Sequence, residues 1–441
     1  MSRKTVLLEG NNLTLESGTG IATYARTLGT TVRTLGHRTE VLVGSRSSVN
    51  ARDPLLSEVS FYDARASLQL PLLHYLGLAR YAVLGSPFGI RPATLRLGGT
   101  VVDPAGGRLG GFERVHVVRN LGDVARLHFM RYGTRAKLKI ADQPDLFHAT
   151  QPIPLRIAGR PNIYTIHDLV PLRLPYATLD DKKYFLELVR HIAARADHIV
   201  TVSEFSRSDI IRLLGVPEER VTNTYQSVHI PEALLNGTQD ALASELEHFF
   251  QLEPGGYFLF VGAIEPKKNL SRLIDAYASS GSKRPLIIVG APAWQYDRDL
   301  EKIGDERFLS YTMTDGVIVP RRRVRRLAYL PFARLVALMR GARAVLFPSL
   351  YEGFGLPVLE AMMAGAPVLT GNVSSLPEIA GNAAITVDPH DVDAIAAGIR
   401  SLDRDDALCA SLTERGRERA KVFSPERYAA RLDDLYRKVM G

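Results

Sequence analysis

The sequence predicts an α/β protein of two doubly wound lobes with a cleft between them, each lobe a parallel sheet flanked by helices. Three observations predict it. Strand and helix signals alternate along the chain and do so twice over; the later strands are apolar almost without interruption, as strands covered on both faces must be; and one strand runs into a glycine-rich loop that opens a helix. Ligands of such sheets bind beyond the carboxyl ends of the strands, which puts the expected site in the cleft.

In the first lobe, Thr5-Val6-Leu7-Leu8 reads as a strand, Ser17-Gly18-Thr19-Gly20 as a loop, residues 21–35 as a helix and Glu40-Val41-Leu42-Val43 as the next strand. Asp145-Leu146-Phe147-His148, Asn162-Ile163-Tyr164-Thr165-Ile166 and His198-Ile199-Val200-Thr201-Val202 are short apolar runs, each followed by polar turn residues. The Pro- and Gly-rich residues 86–111 read as an insertion or mobile loop, and the pattern lapses at a linker around residues 228–237. The second lobe restarts with Tyr257-Phe258-Leu259-Phe260-Val261-Gly262, then Leu286-Ile287-Ile288-Val289-Gly290, Val317-Ile318-Val319 and Ala344-Val345-Leu346-Phe347, each with a helical segment behind it. Ser424-Pro425 starts a final helix that runs to about residue 440. The expected division is residues 1–235, with a basic insertion at about 65–140, then 236–422, then a closing helix in 423–441.

At 441 residues and 46% hydrophobic composition, the chain has ample interior for two or three soluble domains. No segment is a clean membrane span: the nearest, residues 66–89, is interrupted by His74 and Arg80 and punctuated by Gly77 and Gly85. The opening Met1-Ser2-Arg3-Lys4-Thr5-Val6-Leu7-Leu8 does not continue as a signal peptide, and the single cysteine, Cys409, favours a reducing compartment; a cytoplasmic location is expected. Of the net charge of +8, residues 65–140 hold more than the whole, with twelve Lys or Arg against three acids, a local +9. Arg321-Arg322-Arg323-Val324-Arg325-Arg326 is a second cluster without acid. Basic surface beside apolar stretches suits an anionic membrane face or a pyrophosphate-bearing acceptor, a solvated face being the plain alternative. No nucleic-acid-binding motif accompanies it, so nucleic acid is not an expected partner.

The chemistry concentrates in Ser349-Leu350-Tyr351-Glu352-Gly353-Phe354-Gly355-Leu356-Pro357-Val358-Leu359-Glu360. Pro357 suits the first turn of a helix, where its missing N–H costs nothing. Gly353 and Gly355 let backbone N–H groups crowd a ligand, and the helix start adds unpaired donors and the positive end of a dipole. Two acceptor-only carboxylates beside an anion seat make sense if they face hydroxyl groups. One ligand reaching both would be long, with hydroxyls at each end and phosphates between, which is the layout of a nucleotide sugar. A capping Glu352 with a solvated Glu360 is the structural alternative.

This stretch, with Gly365-Ala366-Pro367-Val368, resembles the signature of retaining GT-B glycosyltransferases of family 4. The resemblance continues through Val261-Gly262-Ala263-Ile264-Glu265-Pro266-Lys267-Lys268-Asn269-Leu270, Ser374-Ser375-Leu376-Pro377-Glu378-Ile379-Ala380-Gly381 and Tyr164-Thr165-Ile166-His167-Asp168-Leu169. It is weak between about residues 50 and 140, and within the family the segments look most like bacterial mannosyltransferases that build surface polysaccharides.

The resemblance implies two Rossmann-like lobes, with the final helix crossing back onto the first. It implies that Glu360 takes the ribose hydroxyls, Glu352 those of the transferred sugar, and the amides of Gly353, Phe354, Gly355 and Leu356 the sugar and diphosphate. Lys268 would neutralise the leaving diphosphate, a larger contribution than the ~0.3–1 kcal/mol of a helix dipole. Many relatives carry an arginine where this chain has Ala263, so a second phosphate cation would be Lys267. Tyr329 and Leu330 match the segment that borders the nucleobase, although Ala328 and Pro331 depart from the pattern. In the first lobe, Gly18 and Gly20 match a glycine loop near the diphosphate or acceptor, for which a plain turn is the alternative. His167, with Asp168 beside it, matches the histidine near the reacting sugar carbon, a satisfied structural histidine being the alternative.

The expected reaction is hexosyl transfer with retention and without a protein nucleophile, unlike hydrolases whose two carboxylates flank one bond. The donor leans toward GDP-mannose, with a glycan or polyprenyl-diphosphate-linked acceptor and no resident cofactor or metal. Asp297-Arg298-Asp299 and Asp403-Arg404-Asp405 have a metal-site spacing but sit in charged helical surroundings. A nucleotide-sugar epimerase and a non-catalytic membrane-associated scaffold are the alternatives.

Overall fold

The computed structural model describes residues 3–14, 20–45, 49, 53–62, 71–95, 101, 109–314, 317–328 and 330–441. Two Rossmann-like α/β lobes face each other. The first holds a sheet in the order Val221–Asn223, His198–Thr201, Asn162–Thr165, Leu146–Ala149, Thr5–Glu9, Arg38–Ser45, Arg114–Arg119 and Ala93–Leu95, parallel throughout except for the last pair. The second holds six parallel strands, Val324–Leu327, Leu286–Val289, Phe258–Val261, Ala344–Phe347, Val368–Gly371 and Ile385–Val387. Phe258, Leu259 and Phe260, like Ala344 to Phe347, are buried on both faces, which is why these strands read as unbroken apolar runs.

One strand expectation is overturned. Val317-Ile318-Val319 is not a core strand: it lies in an antiparallel hairpin, Leu309–Thr314 with Val317–Arg322, outside the six-stranded sheet, and Ile318 is 64% exposed. The sheet strand is Val324–Leu327, from within the arginine cluster. An edge strand needs only part of its surface buried, so buried Val324 suffices to dock it while Arg325 reaches the carbonyl of Phe250 at 3.0 Å. Arg322 likewise donates to the carbonyl of Gly304 at 2.9 Å and Arg323 to that of Ser282 at 3.3 Å, so this cluster tethers backbone. Within the expected insertion, residues 96–100 and 102–108 lie outside the described residues; Ala93–Leu95 adds an edge strand to the sheet.

The helix Pro425–Met440 follows the second lobe and packs on the first. Ser424 caps it, accepting from the Arg427 amide, with Pro425 in the first turn. Its buried residues, Tyr428, Leu432, Leu435 and Tyr436, recur at helical spacing and meet Tyr24, Leu28 and Val32 of the helix Gly20–Thr34. Three polar contacts join in this seam: His148 Nδ1 lies 2.9 Å from the Tyr436 hydroxyl, His148 Nε2 3.0 Å from Thr165 Oγ1, and Tyr24 shares that Oγ1 at 2.9 Å. Burial lowers His148 to about 3, so its ring is neutral. Among the described residues no helix is long and apolar enough to cross a membrane.

Candidate active site

The strand Ala344–Phe347 delivers the chain to the cleft, where residues 348–355 turn and Gly355, at φ +107°, caps the helix Leu356–Ala364. That backbone conformation favours glycine. The loop is pinned from below, Ser375 Oγ donating to the carbonyls of Glu352 at 2.9 Å and Phe354 at 2.8 Å. Among the described residues, the amides of Gly353, Phe354, Gly355 and Leu356 donate to no protein acceptor. These are the four donors expected from the sequence to hold the sugar and diphosphate.

Lys267 and Lys268 sit on the short turn Pro266–Lys268 beyond the strand Phe258–Val261. Asn269, at φ +61°, locks this turn against the glycine loop by donating to the carbonyls of Pro348 at 3.0 Å and Pro389 at 2.6 Å; the Leu350 amide donates to the Lys267 carbonyl at 2.8 Å. Lys268 Nζ bonds Glu352 Oε1 at 2.6 Å and lies 4.9 Å from the centre of the Phe347 ring. Burial pushes the Glu352 carboxyl up, but Lys268 and Lys267 outweigh it and hold the group below its ordinary range. Burial pulls the Lys267 ammonium down, yet Glu352, Glu265 and Asp168 raise it well above its usual value. Lys267 is therefore a cation, as a leaving diphosphate would require.

Glu360 differs. Burial alone pushes its carboxyl up to about 7, and among the described residues it has no hydrogen bond or ion pair. Of the two glutamates, one is spent on lysine and the other is open.

The first lobe meets the loop directly. A Cβ added to Gly353 would stand 2.7 Å from the His167 carbonyl and 2.9 Å from Asp168 Oδ2, so only glycine permits the approach. The Gly353 carbonyl accepts from Ser203 Oγ at 2.7 Å and Ser206 Oγ at 3.3 Å. Tyr351 donates to Asp209 at 2.9 Å, and Glu378 accepts from the amides of Glu204 and Phe205 at 2.8 and 3.1 Å. The resemblance puts the segment Ser203-Glu204-Phe205-Ser206 near the cleft without assigning it a role; the structure shows it holding the glycine loop.

His167 follows the strand Asn162–Thr165. Its Nε2 lies 2.8 Å from the Thr150 carbonyl; a carbonyl only accepts, so Nε2 carries the proton. Burial lowers the ring below its ordinary value, so it is neutral and Nδ1 is an acceptor. Tyr24 meets the ring edge-on, centroids 4.8 Å apart. Thr150 leads to a group the sequence reading missed. Glu9, fully buried at the end of Thr5–Glu9, accepts from Thr150 Oγ1 at 2.8 Å, the Asn11 amide at 2.9 Å and Gln151 Nε2 at 3.3 Å, while burial raises its carboxyl. The available signal was an acid closing an apolar strand at the cleft end of a parallel sheet.

Of the remaining expected residues, Gly20 opens its helix close to the glycine-rich loop, a Cβ there standing 3.5 Å from Leu356 Cδ1. Leu330 is half-buried against the main core. Gly18 and Tyr329 lie outside the described residues. Asp403 pairs with Arg284, and Asp299 is buried with its carboxyl raised to about 6.

Residues 246–419 match the family described as glycosyl transferases group 1, and residues 99–229 match glycosyltransferase family 4. The chain is 35% identical to the O-antigen chain mannosyltransferase B of Escherichia coli over 286 residues, 62% of this chain and 70% of that one. It is 29% identical over 264 residues to the serotype-specific mannosyltransferase WbdA of Escherichia coli, covering 58% of this chain but 31% of the relative. Among solved structures it resembles sucrose-phosphate synthase from Thermosynechococcus elongatus (TM-score 0.65, 17% identity, 99% of each chain). HepE from Anabaena, in complex with UDP and glucose, matches with TM-score 0.66 and 16% identity over 99% of this chain and 100% of that one. At such identities these two structures establish the shared two-lobed GT-B fold.

Proposed function

Because this chain belongs to the family 4 glycosyltransferases, we propose that it transfers a mannosyl unit, with retention, from GDP-mannose to a glycan or polyprenyl-diphosphate-linked acceptor in surface polysaccharide synthesis at the cytoplasmic face of a membrane. The observation that carries the reading is the row of four free amides at the start of Leu356–Ala364 with two partly buried lysines beside it. Such a seat suits a diphosphate flanked by hydroxyls. The mannosyltransferase relatives supply the lean in sugar and the polysaccharide context.

In this mechanism the diphosphate rests on the amides of Gly353, Phe354, Gly355 and Leu356, with Lys267 and Lys268 neutralising charge as it leaves. The ribose hydroxyls donate to Glu360. Glu352 takes a sugar hydroxyl, giving up part of its bond to Lys268, which turns toward the phosphate. The bond between the sugar C1 and the diphosphate oxygen breaks, the acceptor oxygen bonds C1 on the same face of an oxocarbenium-like centre, and the acceptor proton passes to the departing phosphate oxygen. His167 borders that centre from the first lobe. A panel of nucleotide sugars, scored by the rise in melting temperature and by transfer to a lipid-linked acceptor, tests the proposal. Stabilisation and transfer with GDP-mannose are expected; transfer from another donor alone would remove the assignment of the sugar.

A further inference from the structure

Where the two lobes meet a second time, the contact is aromatic. After the strand Leu286–Val289 the chain turns at Gly290, where an added Cβ would stand 1.9 Å from the Gly262 carbonyl. The next residues lie along the segment that leads to the lysines: the Ile264 amide donates to the Ala291 carbonyl at 2.9 Å, and the Ile264 carbonyl accepts from the Ala293 amide at 3.1 Å. Trp294, the single tryptophan of the chain, leaves this loop for the first lobe, its indole N–H donating to the Ala177 carbonyl at 3.2 Å. Ala177 closes the 3-10 turn Pro175–Ala177, downstream of His167. The bridge is thus anchored beside Lys267 at one end and beyond His167 at the other, which makes it part of the rim of the cleft where transfer takes place.

This rim carries no charge. Residues 174–179 and 290–296 contain no Asp, Glu, Lys, Arg or His, in a chain of which 23% is charged. The cations that flank the first stretch are taken up elsewhere, Arg173 by Asp209 at 3.5 Å and Lys182 by the Thr178 carbonyl. The side chains are presented to solvent all the same: Tyr176 is 63% and Leu179 70% exposed, and Trp294 and Tyr296 are partly so. Between those two aromatic residues, exposed Gln295 has φ +50°, a left-handed conformation that is costly for a side chain of this kind and recurs at ligand clamps.

We infer that this rim is a subsite for the acceptor, and that the acceptor is an oligosaccharide whose sugar rings lie against Trp294 and Tyr176 while its terminal hydroxyl enters the cleft. A hexose ring offers C–H groups to the negative face of an aromatic ring and hydroxyls at its edge to a carboxamide such as that of Gln295. A phosphate would need a cation that this rim does not offer, and a wholly apolar partner would leave the Gln295 amide unpaired. The inference rests on the transfer reading and narrows it: the enzyme extends an existing chain of sugars.

Because no other tryptophan is present, intrinsic fluorescence reports on this rim. The full chain, without donor, is titrated with methyl α-mannoside and with soluble α-linked mannose trisaccharides of each linkage. At least one trisaccharide should change the emission at a concentration about tenfold or more below the monosaccharide, and Tyr176→Ala should weaken that binding by about tenfold with the melting temperature kept. In transfer assays Trp294→Leu should raise the KM for the trisaccharide by about tenfold or more, the loss falling on KM and not on kcat. Trp294→Phe, which keeps a ring and loses the N–H, should recover most of that loss. Emission indifferent to every trisaccharide, a wild-type acceptor KM in Trp294→Leu, or a Trp294→Phe enzyme as impaired as Trp294→Leu, which would make the residue a latch between lobes and nothing more, would each overturn the inference. The titration needs no donor, so binding without transfer would remove the proposed reaction while upholding the glycan subsite.

Discussion

Lys268 Nζ and Glu352 Oε1 hold one another at 2.6 Å, each side chain about nine-tenths out of solvent, on two turns that belong to different strands of one sheet. In the proposed mechanism the pair opens, Glu352 turning to a sugar hydroxyl and Lys268 to the phosphate. Lys268→Ala should therefore act twice. Stripping one member of a buried pair leaves the other charge uncompensated, at about 3–5 kcal/mol where nothing replaces it. Lys267 stands close enough to reduce that loss, so a smaller drop in melting temperature is expected, with transfer reduced by about 100-fold or more. An unchanged transfer rate would exclude Lys268 from the donor seat.

Glu360 should give donor binding a pH dependence. Its folded value of about 7 lies above the ordinary 4.5, so the folded chain holds this proton more tightly than the unfolded one. Its contribution to stability is present below the unfolded value and is lost as pH rises to about 7. Donor hydroxyls favour the ionised carboxylate, so donor KM should fall as pH rises through about 7 and then level off. Glu360→Gln should remove that inflection and weaken donor binding, while flattening the pH dependence of stability in the same window; a wild-type pH profile in this variant would reject the assignment.

Gly353→Ala tests the contact between lobes. The added methyl would meet the His167 carbonyl and Asp168 Oδ2 well inside contact distance, and backbone cannot swing aside as a side-chain tip can. Loss of kcat/KM by about 100-fold or more is expected. Crystals of the variant should show the 352–355 loop moved away from His167.

Glu9→Gln turns one acceptor oxygen into a donor facing Thr150 Oγ1 or the Asn11 amide, both of which already donate. Because Thr150 also holds His167, the variant should lower kcat severalfold with little effect on donor KM. A raised donor KM with unchanged kcat would mean that Glu9 supports the donor side instead.

Tyr436→Phe removes the partner of buried His148 Nδ1. A buried polar atom left unpaired costs about 1–3 kcal/mol, which a fall in melting temperature or denaturant midpoint would register. Stability equal to wild type would show the bond to be dispensable.

What could be read in advance was whatever repeats locally. Ala344–Phe347 announced itself as a strand because both its faces are buried, and the glycines and glutamates after it carried their chemistry in their spacing. Val324–Leu327 hid because an edge strand tolerates arginines, while Val317-Ile318-Val319 misled because a protruding hairpin can be apolar without being buried. Ser203, Ser206 and Gly353 meet across 147 to 150 residues of chain, and nothing periodic records such a meeting. Glu9 is a single acid with no partner within hydrogen-bonding reach in sequence beyond Asn11; its role exists only once the strand Leu146–Ala149, which leads into Thr150, lies beside it.

The helix Pro425–Met440 has a consequence for how the protein is made. Ribosomes release the first lobe long before this helix, so Tyr24, Leu28 and Val32 must wait in an unsealed groove while the whole second lobe is synthesised. The nascent first lobe is therefore a sticky intermediate, and chaperone demand during expression should peak in that interval and end when Tyr428 and Tyr436 arrive.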